Sequence, residues 1–424
     1  MHQPVPRSTA GVPPLIKRNT TLFALSQSFM GASTQLGYGL GPLMVVALTG
    51  SASLAGLTVV LFGISRFVVA YPVGKITDTY GRKPGIQLGL GLTLLGTIIV
   101  GVAMLLQGVV AFIVGMLIFG MGFNAAQQMR VAAADMFPPR LRAMALGFVA
   151  TGSLIGLLIS PVLIWISEII AGRIGLEPIA LPWLMVPTLI LVGMVLVTFV
   201  QPDPKEIGMH LERYYPGYTP PPKQPAAQRP AFSARTLWRQ RPARLAIISN
   251  CAGQANMAIV MVLTSLVLAH HGHSLTAIAV SHMFHSAGMF GFTIPLGWLA
   301  DRFGRERVMY PGVATTVIGA IFVTFGAEFW SVTLGTFLVG IGWAAANVAS
   351  TALIADLSET EHRGRAIGVN DTGAAIMTVL AAAVTGPLVE CATLPAAGVA
   401  AALVAIVPLL LLAIVQLSRR KHTA

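Results

Sequence analysis

Met257 and Met261 stand four residues apart, and so do His285 and Met289. On an α-helix, residues at i and i+4 share a face, so each pair presents two donor atoms to one side. The segment from Leu245 to Trp298 reads as two apolar helices that turn near His273. At about 1.5 Å of rise per residue, Met261 and His285 lie ~18–20 Å from that turn, and Met257 and Met289 ~24–26 Å from it. In a hydrocarbon layer ~30 Å thick, the four would meet in the half remote from the turn. Thioethers and imidazole suit a soft metal ion, Cu(I) above all. His282, one turn away, is placed as a supporting partner or a proton site. His270, His271 and His273, in the turn itself, would stand above the site and could collect metal before transfer inward. The plainer alternatives are that methionine fills helix cores and that a His-rich turn is simply solvated. Cys251 lies six residues before Met257, about 240° around the helix, a poor geometry for sharing one ion.

Composition says which elements must hold these residues. The chain has 424 residues, 55% hydrophobic and 10% charged, with a mean hydropathy of +0.77. That is too apolar for a water-soluble globule. Apolar runs long enough to cross a bilayer as helices recur throughout. Twelve spans are expected, numbered in order: 22–48, 54–75, 85–106, 109–131, 143–167, 181–200, 245–269, 275–298, 308–326, 331–355, 365–388 and 395–417. The fold class is therefore all-α integral membrane. A cleavable signal peptide is not expected, because the polar start through Arg18 leads into a full-length span.

A net charge of +12 would suit a nucleic-acid partner, but its distribution argues against one. Of 27 Lys and Arg, 24 fall within 1–20, 75–84, 140–142, 202–244, 302–307, 363–365 and 418–424, the tails and alternate loops. The opposite loops hold Arg173, while Arg66 and Arg130 lie within spans. This is the positive-inside pattern, and it predicts both termini in the cytoplasm. The two cysteines, Cys251 and Cys391, sit in or beside different spans, which argues against a disulfide framework.

The chain repeats itself. Gly74, Asp78, Gly81 and Arg82 recur as Gly297, Asp301, Gly304 and Arg305 at a constant offset of 223 residues. Asp135, Arg142 and Gly147 match Asp356, Arg363 and Gly368 at an offset of 221. The division is a tail (1–20), a six-helix half (21–201), a cytoplasmic linker (202–243), a second six-helix half (244–417) and a short tail (418–424). Such halves make a transporter, with its site near the midplane between them. The linker contains Pro220-Pro221-Pro222 and reads as mostly extended, with an interfacial stretch at Leu237-Trp238.

At these residues the chain resembles the major facilitator superfamily. Gly74-Lys-Ile-Thr-Asp78-Thr-Tyr-Gly81-Arg82-Lys83 and Gly297-Trp-Leu-Ala-Asp301-Arg-Phe-Gly304-Arg305 are two copies of its loop motif. The resemblance implies two pseudo-symmetric halves in which Asp78, Arg82 and Asp135, and likewise Asp301, Arg305 and Asp356, pair and latch the outward-facing state. One departure stands out: the span 4 arginine of many proton-coupled drug exporters is Gly115 here.

Ionisable groups inside spans are functional candidates by default. Arg66 lies eight residues before Gly74, ~12 Å from the end of span 2. Asp371 lies about as deep in span 11. Spans 2 and 11 meet across the halves in the facilitator fold, so Arg66 and Asp371 are expected to form an interdomain ion pair, a gate that must break when the inside opens. Spans 1, 4, 7 and 10 line the facilitator cavity and carry Gln27, Gln35, Tyr38, Asn124, Gln127, Gln128, Asn250, Gln254, Asn256 and Asn347. Some of these must be helix-to-helix hydrogen bonds instead.

Met257-Ala-Ile-Val-Met261 and His285-Ser-Ala-Gly-Met289 are similar, in order, helix and separation, to the paired motifs of CcoA-like copper importers. That resemblance implies Met257, Met261, His285 and Met289 as copper ligands. It also implies a bacterial inner membrane, a role in cytochrome oxidase assembly, and copper chaperones as partners. Copper is then the transported substrate and no permanent cofactor is expected, nor any catalysis. The alternatives are an importer of riboflavin or another small organic solute, and a non-transporting metal sensor or scaffold.

Overall fold

The computed structural model describes residues 12–138, 141–216, 218, 233–358 and 363–423. Among them there is no strand, and ten helical segments are long and apolar enough to cross a membrane. Two further spans are interrupted. Span 1 is Pro14–Gly39 followed by Gly41–Thr49, and span 8 is Leu275–Gly291 followed by Thr293–Phe303. The break in span 1 falls where Pro42, which has no amide proton, cannot continue the ladder. Spans 2 and 3 are Leu57–Tyr80 and Arg82–Leu105; span 4 is Val109–Ala126 with Gln128–Asp135. Spans 5 and 6 are Arg142–Ile174 and Leu181–Thr198. The second half runs through span 7 (Arg241–His270), span 9 (Arg305–Phe325), span 10 (Phe329–Asp356), span 11 (Arg363–Cys391) and span 12 (Leu394–Thr423).

In lipid no hydrophobic force drives one helix onto another, so close packing depends on small residues. Spans 3 and 4 meet at Gly89, where a Cβ would lie 2.7 Å from the Ala126 amide. Spans 9 and 10 meet at Gly335, where a Cβ would lie 2.7 Å from the Gly319 carbonyl. The two halves thus repeat in packing as they do in sequence.

The start of the linker is a correction to the extended reading. Pro204–Met209 and Leu211–Tyr214 are helical, with Ile207 and Leu211 buried against the first half. Asp203 caps two helices at once: its carboxylate accepts from the Lys205 amide at 2.8 Å at the start of the linker helix, and from the Arg82 and Lys83 amides at 3.0 and 2.9 Å at the start of span 3. Ala234–Arg239 is also helical, with Leu237 buried and Trp238 exposed. Pro220, Pro221 and Pro222 lie outside the described residues.

Candidate functional site

His285 is fully buried on span 8, and its Nδ1 lies 2.8 Å from the Thr336 carbonyl on span 10. A carbonyl only accepts, so in the neutral ring Nδ1 carries the proton and Nε2 keeps its lone pair. That Nε2 is buried with no hydrogen-bond partner. An imidazole fixed through one nitrogen, with the other free, is how metal-binding histidines are held.

Span 10 also reaches the helix that carries Met261. The Thr336 and Thr264 hydroxyls are 3.0 Å apart, and Thr264 follows Met261 by three residues on the same face of span 7. Met261 is buried, while Met257 and Met289 are half-buried. Met257 packs against an apolar cluster that includes Val260, Val339 and Ala401. Met289 sits just before the break in span 8, where the Thr293 hydroxyl takes its carbonyl at 2.8 Å. A Cβ on Gly340 would strike the His285 carbonyl and lie 3.2 Å from the Met289 amide, so glycine is what lets span 8 lie so close to span 10. For that reason spans 7 and 8 are not the tight hairpin expected. Span 8 lies chiefly on spans 5 and 10, and it meets span 7 through His282.

His282 is also buried. Its Nε2 is 2.8 Å from the Ser265 hydroxyl, which donates its one proton to the Gly39 carbonyl at 2.7 Å. Nε2–H must then be the donor to Ser265, leaving the buried and unpartnered Nδ1 as the lone pair. Gly39 lies at the break in span 1, so this chain of bonds crosses between the halves. A second crossing runs from the Gln35 amide to the Ser286 hydroxyl at 2.6 Å. Thr336, Thr264 and Ser265 carry no sign in the sequence that sets them apart from other span hydroxyls.

The turn histidines do not gather. His271 Nδ1 donates to the Val267 carbonyl at 2.8 Å, the rings of His270 and His271 meet edge to face, and His273 lies on Phe329. Among the described residues no three His, Cys, Asp or Glu side chains converge to hold a metal ion, so a metal at this site would depend on thioethers. Cys251 lies 3.2 Å from the position of a Cβ on Gly373, and Cys391 is exposed; both are free thiols.

Both loop motifs form charge clusters, each within its own half. Arg82 Nε meets Asp135 at 2.7 Å and its Nη1 reaches Asp78 at 3.4 Å. Arg305 Nε meets Asp356 at 3.0 Å and its Nη1 pairs closely with Asp301. Around a Cβ on Gly74 there is open space, and at Gly297 the nearest atom is 3.7 Å away. Arg66 and Asp371 make no direct ion pair among the described residues, although the Arg66 charge acts on the Asp371 carboxylate. Asn370 lies 3.4 Å from the same carboxylate. Several expected cavity residues instead tie helices together: Gln27 to Ser153, Asn256 to the Ala401 carbonyl and Asn347 to Asn250.

The Major Facilitator Superfamily model matches residues 21–291 and 245–424. The chain belongs to the Major Facilitator Superfamily. Facilitators of this family are membrane transporters without a permanent cofactor, so the chain is a transporter and not an enzyme. It is 26% identical over 378 residues to the MFS-type transporter YdeG of Bacillus subtilis, covering 88% of this chain and 86% of that one. It is 25% identical over 364 residues to the riboflavin transporter RfnT of Brucella anthropi, covering 84% and 85%. In fold it is similar to the inward-open xylose transporter XylE of E. coli, at TM-score 0.69, 14% identity and coverage of 93% and 95%. A bacterial homologue of the lysosomal transporter Spinster, in an inward-facing form, gives TM-score 0.68 at 15% identity, with coverage of 95% and 96%. The twelve-span facilitator expected from the sequence is the fold observed.

Proposed function

We propose that this facilitator imports copper across a bacterial inner membrane by alternating access, both termini being cytoplasmic. The observation that carries the reading is the buried, unpartnered Nε2 of His285, whose ring is fixed through Nδ1 on the Thr336 carbonyl. Met261 is linked to the same point through Thr264, and Met289 lies one turn beyond His285 on its own helix. Met257 completes the set. Weak thioether ligands and one imidazole bind Cu(I) and let it go, whereas a thiolate cage would retain it. The broken helices, span 1 at Leu40 and span 8 at Phe292, suit a facilitator site near the midplane. In this reading the Arg82 and Arg305 clusters latch the cytoplasmic side in the outward-facing state, and Arg66 with Asp371 gates it. Copper chaperones would receive the ion, for cytochrome oxidase assembly.

A second reading, import of riboflavin or a similar solute, is favoured by the relative RfnT and by the polar groups of span 1. The test is uptake of radioactive copper and of riboflavin by cells expressing the wild type, Met257→Leu or His285→Leu. Leucine removes the donor atom and keeps the packing. Copper uptake that falls to background in both variants, at unchanged protein level, supports the proposal. Copper uptake at background in the wild type, with riboflavin entering, overturns it.

A further inference from the structure

On the face opposite the basic loops, the halves are joined twice by a carboxylate. Glu168, near the end of span 5 in the first half, accepts from the amides of Leu275 and Thr276 at 2.9 and 3.4 Å. These residues open span 8 of the second half, and the Thr276 hydroxyl donates to the other oxygen of Glu168. Glu390, near the end of span 11 in the second half, accepts from the Ser53 amide at 2.6 Å and the Ser51 hydroxyl at 2.7 Å. Ser51 and Ser53 lead into span 2 of the first half. Glu168 thus satisfies two amides at the start of span 8, where free N–H groups and the helix dipole favour a negative charge, and Glu390 satisfies one amide and one hydroxyl in the short turn before span 2.

The two joins are mirror copies. Ser51 and Ser53 recur as Ser274 and Thr276 at the 223-residue offset of the loop motif, and Glu168 recurs as Glu390 at 222. One half supplies a carboxylate to the other and receives one back. Beneath the Glu390 join lies an apolar plug shared by the halves: Ala55 and Val59 with Ala258, Val262, Leu266 and Ala382, all buried. The backbones are in close contact there, since a Cβ on Gly386 would strike the Ser53 carbonyl and one on Gly56 the Ala382 carbonyl.

We infer that Glu168 and Glu390 are the paired gate of this face, holding the halves together over the plug and letting go when this side opens. Charge-assisted hydrogen bonds at opposite edges of one interface oppose its opening from both sides. Glu168 is half-buried and Glu390 is exposed, so the Glu168 join is the stronger and Glu390 the more readily released. The inference concerns the transport cycle and holds for either proposed substrate.

The test uses the purified full-length protein in detergent, with Cys251 and Cys391 replaced by alanine and Val262→Cys as reporter. Val262 is fully buried in the plug, so its rate of maleimide labelling reports opening of this face. Glu168→Gln with Glu390→Gln should raise that rate about tenfold, as expected for loss of several charged hydrogen bonds. Glu168→Gln alone should give most of the rise, Glu390→Gln alone a smaller one, and Glu177→Gln none. Should Glu168→Gln fail to fold, Glu390→Gln alone decides the question, because its exposed side chain can be neutralised without disturbing the core. A labelling rate at the wild-type value in monodisperse Glu390→Gln and double-variant protein overturns the inference.

Discussion

The same address in the two halves holds different chemistry. Counting back 223 positions, Met257, Met261, His285 and Met289 correspond to Thr34, Tyr38, Phe62 and Arg66. In the first half the rings of Tyr38 and Phe62 lie 5.0 Å apart, and Phe62 continues to Phe119 at 5.5 Å and Phe123 at 6.4 Å. The counterparts of Met261 and His285 are therefore in contact there. In the second half the same places carry a thioether and an imidazole with an unpaired nitrogen. One backbone plan has been closed with aromatic packing on one side and supplied with donor atoms on the other. The difference is one of donor atoms: rings fill the space in the first half, and in the second a thioether and an imidazole stand in their places.

The largest effect that would sharpen this contrast comes from paired substitutions. His285→Leu should reduce copper uptake to background, whereas Phe62→Leu should keep it within about twofold and cost about 1 kcal/mol of stability. Uptake and thermal unfolding on the same preparations give both answers, and equal uptake losses would end the asymmetry. Next, Thr264→Val removes the hydroxyl that links Met261's helix to Thr336; copper affinity by titration should weaken about tenfold. An unchanged affinity would show that the link does not hold the site. Arg66→Met replaces the first half's charge with a side chain of the kind its counterpart Met289 carries. Its loss should slow uptake about fivefold by uncoupling span 2 from Asp371, and wild-type uptake would remove the gate. The smallest effect concerns the loop motifs. Asp203→Ala should lower stability by about 1 kcal/mol through the lost cap on span 3, with copper uptake unaffected. Gly304, the counterpart of Gly81, has no atom within 4 Å of a Cβ, whereas Asp203 lies 2.7 Å from the same point at Gly81.

Much of the fold was legible in the sequence because hydrophobic length and charge asymmetry act locally. The spans and the repeat follow from residue type and spacing alone, and the pairing of Arg82 with Asp135 and of Arg305 with Asp356 from the family resemblance of the loop motifs. The i, i+4 spacing of His285 and Met289 was legible for the same reason. What decides the site was not. Which nitrogen of His285 is free depends on the Thr336 carbonyl, 51 residues away, and any residue supplies a carbonyl. The neighbours of span 8 depend on Gly340, one of 44 glycines. Ser265 and Glu168 act on partners 226 and 107 residues distant, and no helical period reports such contacts. The linker helix leaves no sign in the sequence because six residues are too few for a periodic pattern, and burial rather than propensity stabilises it.

Ser265 has a single proton, and in this structure the opposite half receives it at the Gly39 carbonyl. That bond leaves the serine oxygen as an acceptor and makes His282 the donor. When the halves part at this level, the Gly39 carbonyl is withdrawn and the serine proton is left with the Met261 carbonyl, 3.5 Å away on its own helix. Nε2–H can go on donating to the serine oxygen, so the His282 ring keeps its tautomer while the bond between the halves is lost. The serine proton is thus held by the opposite half while the halves touch and by its own helix when they part.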